Sequence, residues 1–343
     1  MIPITLVSGE AQMPQPVCAS INRGEAQVDA VMASASARRQ CPHVLAAFFG
    51  QPWAILPEKL QAIAEFLEVR AVQGMPLSAE DIDAVVEAAR GPTPGRTQGG
   101  VAVIPILGVI SHRMNLMSAM SGGTSTQAIG AEIDAAMGDT QVGSILLDIE
   151  SPGGAVTGVQ ELAAKIREAA KTKPIIAVAS AYAASAAYWL ASQASSISVT
   201  PSGEVGSIGV RAMHQDLSAA YEAAGVKTTL VSAGKFKGEG SEFEELTLEA
   251  RDALQQSVDG YYDDFVAAVA SGRGVSKAEV RNGFGQGRMV RASEAVKIGM
   301  ADRVETLDQA LSRLVGRQEQ RARTDAVLST RRQRVKLDLA AVA

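Results

Sequence analysis

Three short segments carry the residue types of an acyl-transfer site, and each follows an apolar stretch of chain. Residues 148–154 end in two adjacent glycines, whose backbone N–H groups can face a substrate oxygen with no side chain between. Ser185 lies among alanines at the predicted start of a helix, and residues 231–238 contain Lys235 and Lys237. A serine becomes a nucleophile when a base takes its proton, and a buried lysine can be that base.

Each segment also has an ordinary structural interpretation. Gly153-Gly154 between a strand and a helix is often only a turn, and Ser185 alone fits a small helix residue. Most lysines are solvated, which is the simplest interpretation of Lys235 and Lys237. The functional prediction therefore depends on the three segments occurring together.

The elements that position these segments alternate between strands and helices. Such alternation predicts an α/β fold built from βαβ units with a mainly parallel sheet, whose ligand sites gather at the carboxyl ends of strands. Short apolar runs predict strands over 101–110, 144–149, 174–179, 197–200, 207–210 and 228–232. Helical periodicity predicts helices over 126–137, 156–166, 184–194, 248–271, 277–282, 292–298 and 307–315.

Composition divides the chain into four regions. Residues 1–40 show no clear periodicity and predict a flexible leader, and 41–98 predict helices followed by a Gly/Pro-rich linker over 91–100. Residues 99–315 contain the α/β pattern, and 316–343 form a basic tail. Such a tail can bind an acidic partner or nucleic acid, but we favour a solvated, partly helical tail.

Charge and cysteine content narrow the classes of function. The 343 residues carry a net charge of −5, which gives no general reason to expect nucleic-acid binding. Cys18 and Cys41 predict two free thiols in a reducing compartment, and no His/Cys cluster predicts a metal site or a cofactor. No secretory signal or membrane-length apolar run is visible, so we expect a protein of the cytoplasm.

Taken together, the motifs resemble the SppA-like serine peptidases of the ClpP/crotonase superfold. The resemblance runs from about Val101 to Val304 and includes 287–303, which looks like the closing helix and strand of that family. The motifs occur in the order Ser-Pro-Gly-Gly154, Ala183-Ala-Ser-Ala-Ala187, Gly206-Ser-Ile-Gly-Val210 and Ala233-Gly-Lys-Phe-Lys237. Each is unspecific alone, whereas their combination is specific.

The resemblance implies a role for each matching residue. Ser185 matches the nucleophile, Lys237 the general base, and Ser207 a serine that hydrogen-bonds the lysine. Gly154 and Ala186 match the residues whose N–H groups stabilise the oxyanion, with Gly153 shaping the turn. The implied activity is that of a serine endopeptidase with a Ser/Lys dyad, and the alanines around Ser185 fit a narrow pocket for a small side chain.

Within this family the chain looks most similar to the head-maturation proteases of lambda-type phages and prophages. A single copy of the domain without an anchor distinguishes it from the tandem and membrane-bound members. The implied substrates are scaffold, portal or capsid proteins, cut in the host cytoplasm or inside the procapsid. Single-copy relatives assemble into rings, so we expect a homo-oligomer in which the lysine comes from a neighbouring protomer.

Three other interpretations remain open. A ClpP-like Ser-His-Asp triad would use His214 and Asp216, whereas His43 and His112 look like surface or core histidines. A crotonase-type acyl-CoA enzyme would share the superfold but would need no serine nucleophile, and CoA-ester binding would reveal it. A capsid-assembly factor that has lost its activity would retain the fold with an idle site.

Overall fold

The computed structural model describes residue 48 and residues 51–73, 96–113, 123–223 and 225–342. The predicted 1–40 leader, Cys18, Cys41 and His43 lie outside these residues. The described part is an α/β structure with mostly parallel strand pairing, which confirms the predicted fold class.

An eight-stranded sheet forms the centre of the described structure. It is built from β2 (Arg96–Gln98), β3 (Val101–Leu107), β6 (Ser144–Ser151), β8 (Ile175–Ala184), β9 (Ser196–Val199), β10 (Glu204–Gly206), β11 (Met289–Arg291) and β12 (Arg303–Val304). The order β11-β10-β8-β6-β3-β2 forms the main path, while β9 joins the first half of β8 and pairs with β12. The two halves of β8 therefore have different neighbours on this side: β9 pairs with the N-terminal half and β10 with the C-terminal half.

A smaller sheet lies beside the site. It has the order β1-β7-β4-β5 and is made from β1 (Trp53–Ile55), β4 (Val109–Ser111), β5 (Gly123–Ser125) and β7 (Gly153–Ala155). β4 pairs in parallel with β5 and β7, whereas β1 pairs antiparallel with β7. Because β7 follows β6 after one residue, the small sheet begins where a central strand of the large sheet ends.

Helices cover the sheets and complete the core. They are α1 (Pro57–Gln73), α2 (Thr126–Gly138), α3 (Val159–Thr172), α4 (Ala186–Ala191), α5 (Ser218–Ala223), α6 (Leu248–Arg273), α7 (Lys277–Gly283), α8 (Ala292–Lys297) and α9 (Leu307–Val342). The main apolar cluster joins buried residues of β3, β6, β8, α2, α3, α4 and the C-terminal half of α6. Across the described residues, no helix combines the length and the apolar character needed to span a membrane.

Several element boundaries differ from the sequence-based expectations. The predicted strand over 101–110 is divided at Gly108, which has a φ of 64°, and the predicted strands over 207–210 and 228–232 are not strands. Arg96–Gln98, assigned by composition to a linker, pairs antiparallel with β3. The last helix continues from Leu307 through the basic tail to Val342 instead of ending near 315.

Candidate active site

Ser185 lies at a sharp turn between a buried strand and a short helix. It follows β8 directly and is the N-cap residue of α4, and its φ of 52° and ψ of −116° are unusual for a residue with a side chain. Its backbone N–H donates to the Gly206 carbonyl at 2.7 Å, and its Oγ–H donates to the Gly209 carbonyl at 3.3 Å. Because Ser185 is fully buried, the surrounding structure fixes this conformation.

The helix that carries Ser185 is held by two large aromatic residues. The Tyr188 hydroxyl donates to the Met300 carbonyl at 2.9 Å, and burial raises the pKa of that hydroxyl above its usual range. The Trp189 ring stacks on Phe265 with centroids 4.6 Å apart and planes 8° apart. These anchors leave the start of α4, and with it Ser185, little freedom to move.

The two glycines lie against neighbouring segments, Gly153 against the serine and Gly154 against β4. Gly153 has a φ of 95°, and a Cβ placed on it would lie 3.0 Å from both the Ser185 Cβ and the Ala184 carbonyl oxygen. A Cβ placed on Gly154 would overlap the backbone of Ile110 on β4. Both positions therefore require glycine, and the structure brings the predicted Gly153-Gly154 turn against the predicted nucleophile.

Ser207, the serine predicted to hydrogen-bond the lysine, lies in a turn next to that of Ser185. Ser207 follows β10 with a φ of 54°, is 6% exposed, and donates its N–H to the Arg288 carbonyl at 3.0 Å. It lies between Gly206 and Gly209, whose carbonyls both accept hydrogen bonds from Ser185. Two strained turns, one at each serine, therefore meet at the end of the parallel strands.

Lys237 is placed apart from this group. It lies in an exposed segment, 226–237, and its N–H donates to the Gly234 carbonyl at 3.1 Å. In the described part of the chain, its ammonium has no hydrogen bond or ion pair. Lys235, by contrast, pairs with Glu249 at 2.8 Å and lies over the Phe236 ring. A single chain in this conformation thus does not join Ser185 to Lys237.

The histidine alternative receives no support from the contacts. His214 Nε2 is buried and has no hydrogen-bond partner among the described residues, while Ser185 directs its hydroxyl to Gly209. Asp216 accepts hydrogen bonds from the Oγ and N–H of Ser218, at 2.6 and 2.9 Å. These bonds, and secondarily the charge of His214, lower the pKa of the Asp216 carboxyl. Asp216 thus caps α5.

Sequence reasoning missed one element of the site. β1 pairs with β7, with Ile55 opposite Gly153 and Ala54 opposite Gly154. Trp53 also forms an antiparallel bridge with Arg211. The signal was the four-residue apolar run Trp53–Leu56 between Pro52 and Pro57. Such a run is too short to predict a strand without its partner.

Comparisons with known proteins find one family model and several similar proteins. Residues 167–321 match the sequence model of peptidase family S49. The head-tail preconnector protein GP5 of Enterobacteria phage P21 is 33% identical over 290 residues, which cover 80% of this chain and 57% of that protein. The capsid assembly protease C of Escherichia phage lambda is 31% identical over 288 residues, covering 80% of this chain and 65% of that protein.

Cellular relatives match a shorter part of the chain. A putative protease of Methanocaldococcus jannaschii is 35% identical over 176 residues, which cover 51% of this chain and 56% of that protein. The matches thus span less than two thirds of the length of all three relatives.

Proposed function

We propose that this chain, whose residues 167–321 match the model of peptidase family S49, is a serine endopeptidase with Ser185 as nucleophile and Lys237 as general base. The observation that carries the proposal is the strained, fully buried turn that holds Ser185 against Gly153. Strain of this kind costs about 1–3 kcal/mol and persists where a site needs a fixed geometry. A serine that served only to begin a helix would not need it.

The proposed reaction is ordinary acyl transfer. Neutral Lys237 takes the proton of the Ser185 hydroxyl as Oγ attacks the substrate carbonyl, and Ser207 hydrogen-bonds the lysine to orient it. The N–H groups of Gly154 and Ala186 stabilise the oxyanion. The lysine returns its proton to the leaving amine, which breaks the peptide bond, and water then hydrolyses the acyl-enzyme to free Ser185.

We propose that the substrates are phage head proteins, such as scaffold, portal or capsid proteins. The support is the identity with a capsid assembly protease and a head-tail preconnector protein over four fifths of this chain. The reaction would take place in the host cytoplasm or inside the procapsid.

The test is to co-express each candidate head protein with wild type, Ser185→Ala or Ser202→Ala and to follow intact masses. Ser202 is an exposed serine of a nearby turn, so Ser202→Ala is the matched control. We expect the same products from wild type and Ser202→Ala and none from Ser185→Ala. Uncut masses throughout would favour the idle assembly factor, and cutting by Ser185→Ala would refute the serine assignment.

A second pair of variants isolates the base. Lys237→Ala is expected to abolish cleavage, whereas Lys235→Ala, which removes an exposed ion pair with Glu249 and a contact with the Phe236 ring, is expected to retain it. Loss of cleavage in His214→Ala with full activity in Lys237→Ala would instead favour the Ser-His-Asp alternative.

We further propose that Lys237 acts on Ser185 of a neighbouring protomer in a homo-oligomeric ring. The support is that Lys237 lies in an exposed segment whose apolar side chains no described element covers, with Val231 91%, Phe236 54% and Leu230 50% exposed. Exposed apolar groups that lie close together often mark a protein interface.

Mixing two inactive variants tests this arrangement. If the lysine acts across protomers, a mixture of Ser185→Ala and Lys237→Ala contains pairs with both intact groups and regains cleavage, by about a quarter of wild type for random pairing of two partners. No recovery, although sedimentation shows mixed oligomers, would place both groups in one protomer. An active monomer would refute the ring.

A further inference from the structure

β1 lies between the two segments that would hold a peptide at the proposed site. On one side Trp53–Ile55 pairs antiparallel with Gly153–Ala155. On the other side Trp53 and Arg211 exchange backbone hydrogen bonds of 2.8 and 2.9 Å. Extended peptides bind many proteins by adding a strand to such edges, and here the position between the edges is already filled.

The register of the β1–β7 pairing places the Ala54 carbonyl at the N–H of Gly154, which is a proposed oxyanion donor. Leu56 donates its N–H to the Pro152 carbonyl at 2.8 Å, and Val156 donates to the Pro52 carbonyl at 3.3 Å. Hydrogen-bonded pairs alternate along an antiparallel ladder, so the pair midway between these two is also hydrogen-bonded. That pair is Ala54 and Gly154, and the Ala54 carbonyl therefore faces the N–H that would stabilise the oxyanion.

Ala54 also lies against the proposed nucleophile. A Cβ placed on Gly153 would overlap the Ala54 carbonyl oxygen and would lie 3.0 Å from the Ser185 Cβ, so both atoms border the same small space. The Ala54 side chain is fully buried within the main apolar cluster. A substrate residue before the cut bond would present the same carbonyl and a side chain of similar size.

We propose that residues 52–56 are an internal inhibitory strand that occupies the peptide-binding cleft as a substrate does, with Ala54 in the position of the residue before the cut bond. This inference rests on the proposed function, since it assigns the cleft to Ser185. A substrate reaches Ser185 only after β1 has left.

Departure of β1 would withdraw a single alanine side chain from the main core. Apart from Ala54, its side chains belong to a separate apolar cluster. Trp53 anchors this cluster through an Nε1–H bond to the Phe48 carbonyl at 2.9 Å and a ring contact with Phe48 at 5.4 Å. The other buried members are Ile55, Leu60, Ile63, Val109 and Ala155.

Peptide binding to the full chain tests the proposal without requiring catalysis. The probe is a fluorescent peptide with the sequence Pro-Trp-Ala-Ile-Leu, and all proteins carry Ser185→Ala so that none can cut it. Two variants weaken β1: Ala54→Pro removes the N–H that pairs with Gly154, and Trp53→Ala removes the anchor. Glu58→Ala, at an exposed position of α1, is the matched control.

Anisotropy titration is expected to give Kd values at least about tenfold lower for Ala54→Pro and Trp53→Ala than for the Ser185→Ala parent or the Glu58→Ala control, because β1 no longer competes. Saturating peptide is also expected to increase deuterium exchange of the 53–55 amides in the parent. Protection of β6 and β8 amides from exchange confirms that each variant is folded.

Equal affinities in all four proteins, including undetectable binding to all of them, would overturn the proposal. Peptide binding with the 53–55 amides still protected would overturn it as well, because the cleft would then lie elsewhere. Neither result depends on whether Ser185 is the nucleophile, so failure of the inference is distinguishable from failure of the proposed activity.

Discussion

Replacing Ser185 by glycine should leave the protein more stable than replacing it by alanine, although both changes remove the proposed nucleophile. The φ of 52° and ψ of −116° lie outside the regions that residues with a Cβ populate, at a cost of about 1–3 kcal/mol. Glycine adopts such angles freely, but its greater conformational entropy in the unfolded chain lowers the stability of the fold by roughly 0.5–1 kcal/mol. The difference leaves about 1 kcal/mol of added stability.

Ser185→Ala is the appropriate reference because both variants lack the hydroxyl and its 3.3 Å bond to Gly209. Alanine retains the Cβ and therefore the strain. Ser192 gives the matched control, since it is fully buried at the end of α4 with helical angles of −64° and −14°. At that position Ser192→Gly should be less stable than Ser192→Ala by about 0.5–1 kcal/mol.

Urea unfolding and thermal unfolding of the four variants measure the effect. We expect Ser185→Gly to exceed Ser185→Ala by about 1 kcal/mol, or about 2–4 °C in Tm, with the opposite order at position 192. The same order at both positions, with glycine less stable, would refute the claim that the Ser185 turn stores strain.

Three further substitutions have defined outcomes. Burial alone favours the neutral form of Asp302, but hydrogen bonds from Arg273 and a backbone N–H lower the pKa of its carboxyl overall. Asp302→Asn should therefore cost about 2 kcal/mol at pH 7 in urea unfolding, and progressively less as acid protonates the wild-type carboxyl. Gly154→Ala should abolish substrate cleavage in the mass assay, because the added Cβ overlaps a neighbouring strand. Phe265→Ala removes the ring stacked on Trp189 and should cost about 3–5 kcal/mol in the same unfolding assay.

Patterns local to the sequence predicted the central βαβ layers well. The apolar runs of β3, β6 and β8 are long enough to be recognised alone, because parallel central strands are buried on both faces. The pairing of Gly153 and Gly154 with Ser185 in one site was implied by the resemblance to the SppA-like peptidases, and it agrees with the rule that ligand sites gather at the carboxyl ends of parallel strands.

Features that depend on distant partners were not predictable. β1 has three residues and exists through its pairing with Gly153–Ala155 and Arg211. Residues 228–232 have strand-like composition, but no strand among the described residues pairs with them, and strand propensity depends on such pairing. Gly316 did not end α9, since a glycine within a helix costs only about 1 kcal/mol.

The nucleophile itself can be identified by trapping the acyl-enzyme. Wild type and Ser185→Ala, each combined with Trp53→Ala to open the cleft, would be mixed with a short peptide ester ending in alanine and quenched in acid within seconds. We predict a mass increase equal to the acyl group, located on Ser185 by peptide mapping and absent from the Ser185→Ala protein. Ester hydrolysis with the adduct on another residue, or undiminished hydrolysis by the Ser185→Ala protein, would contradict the assignment of Ser185.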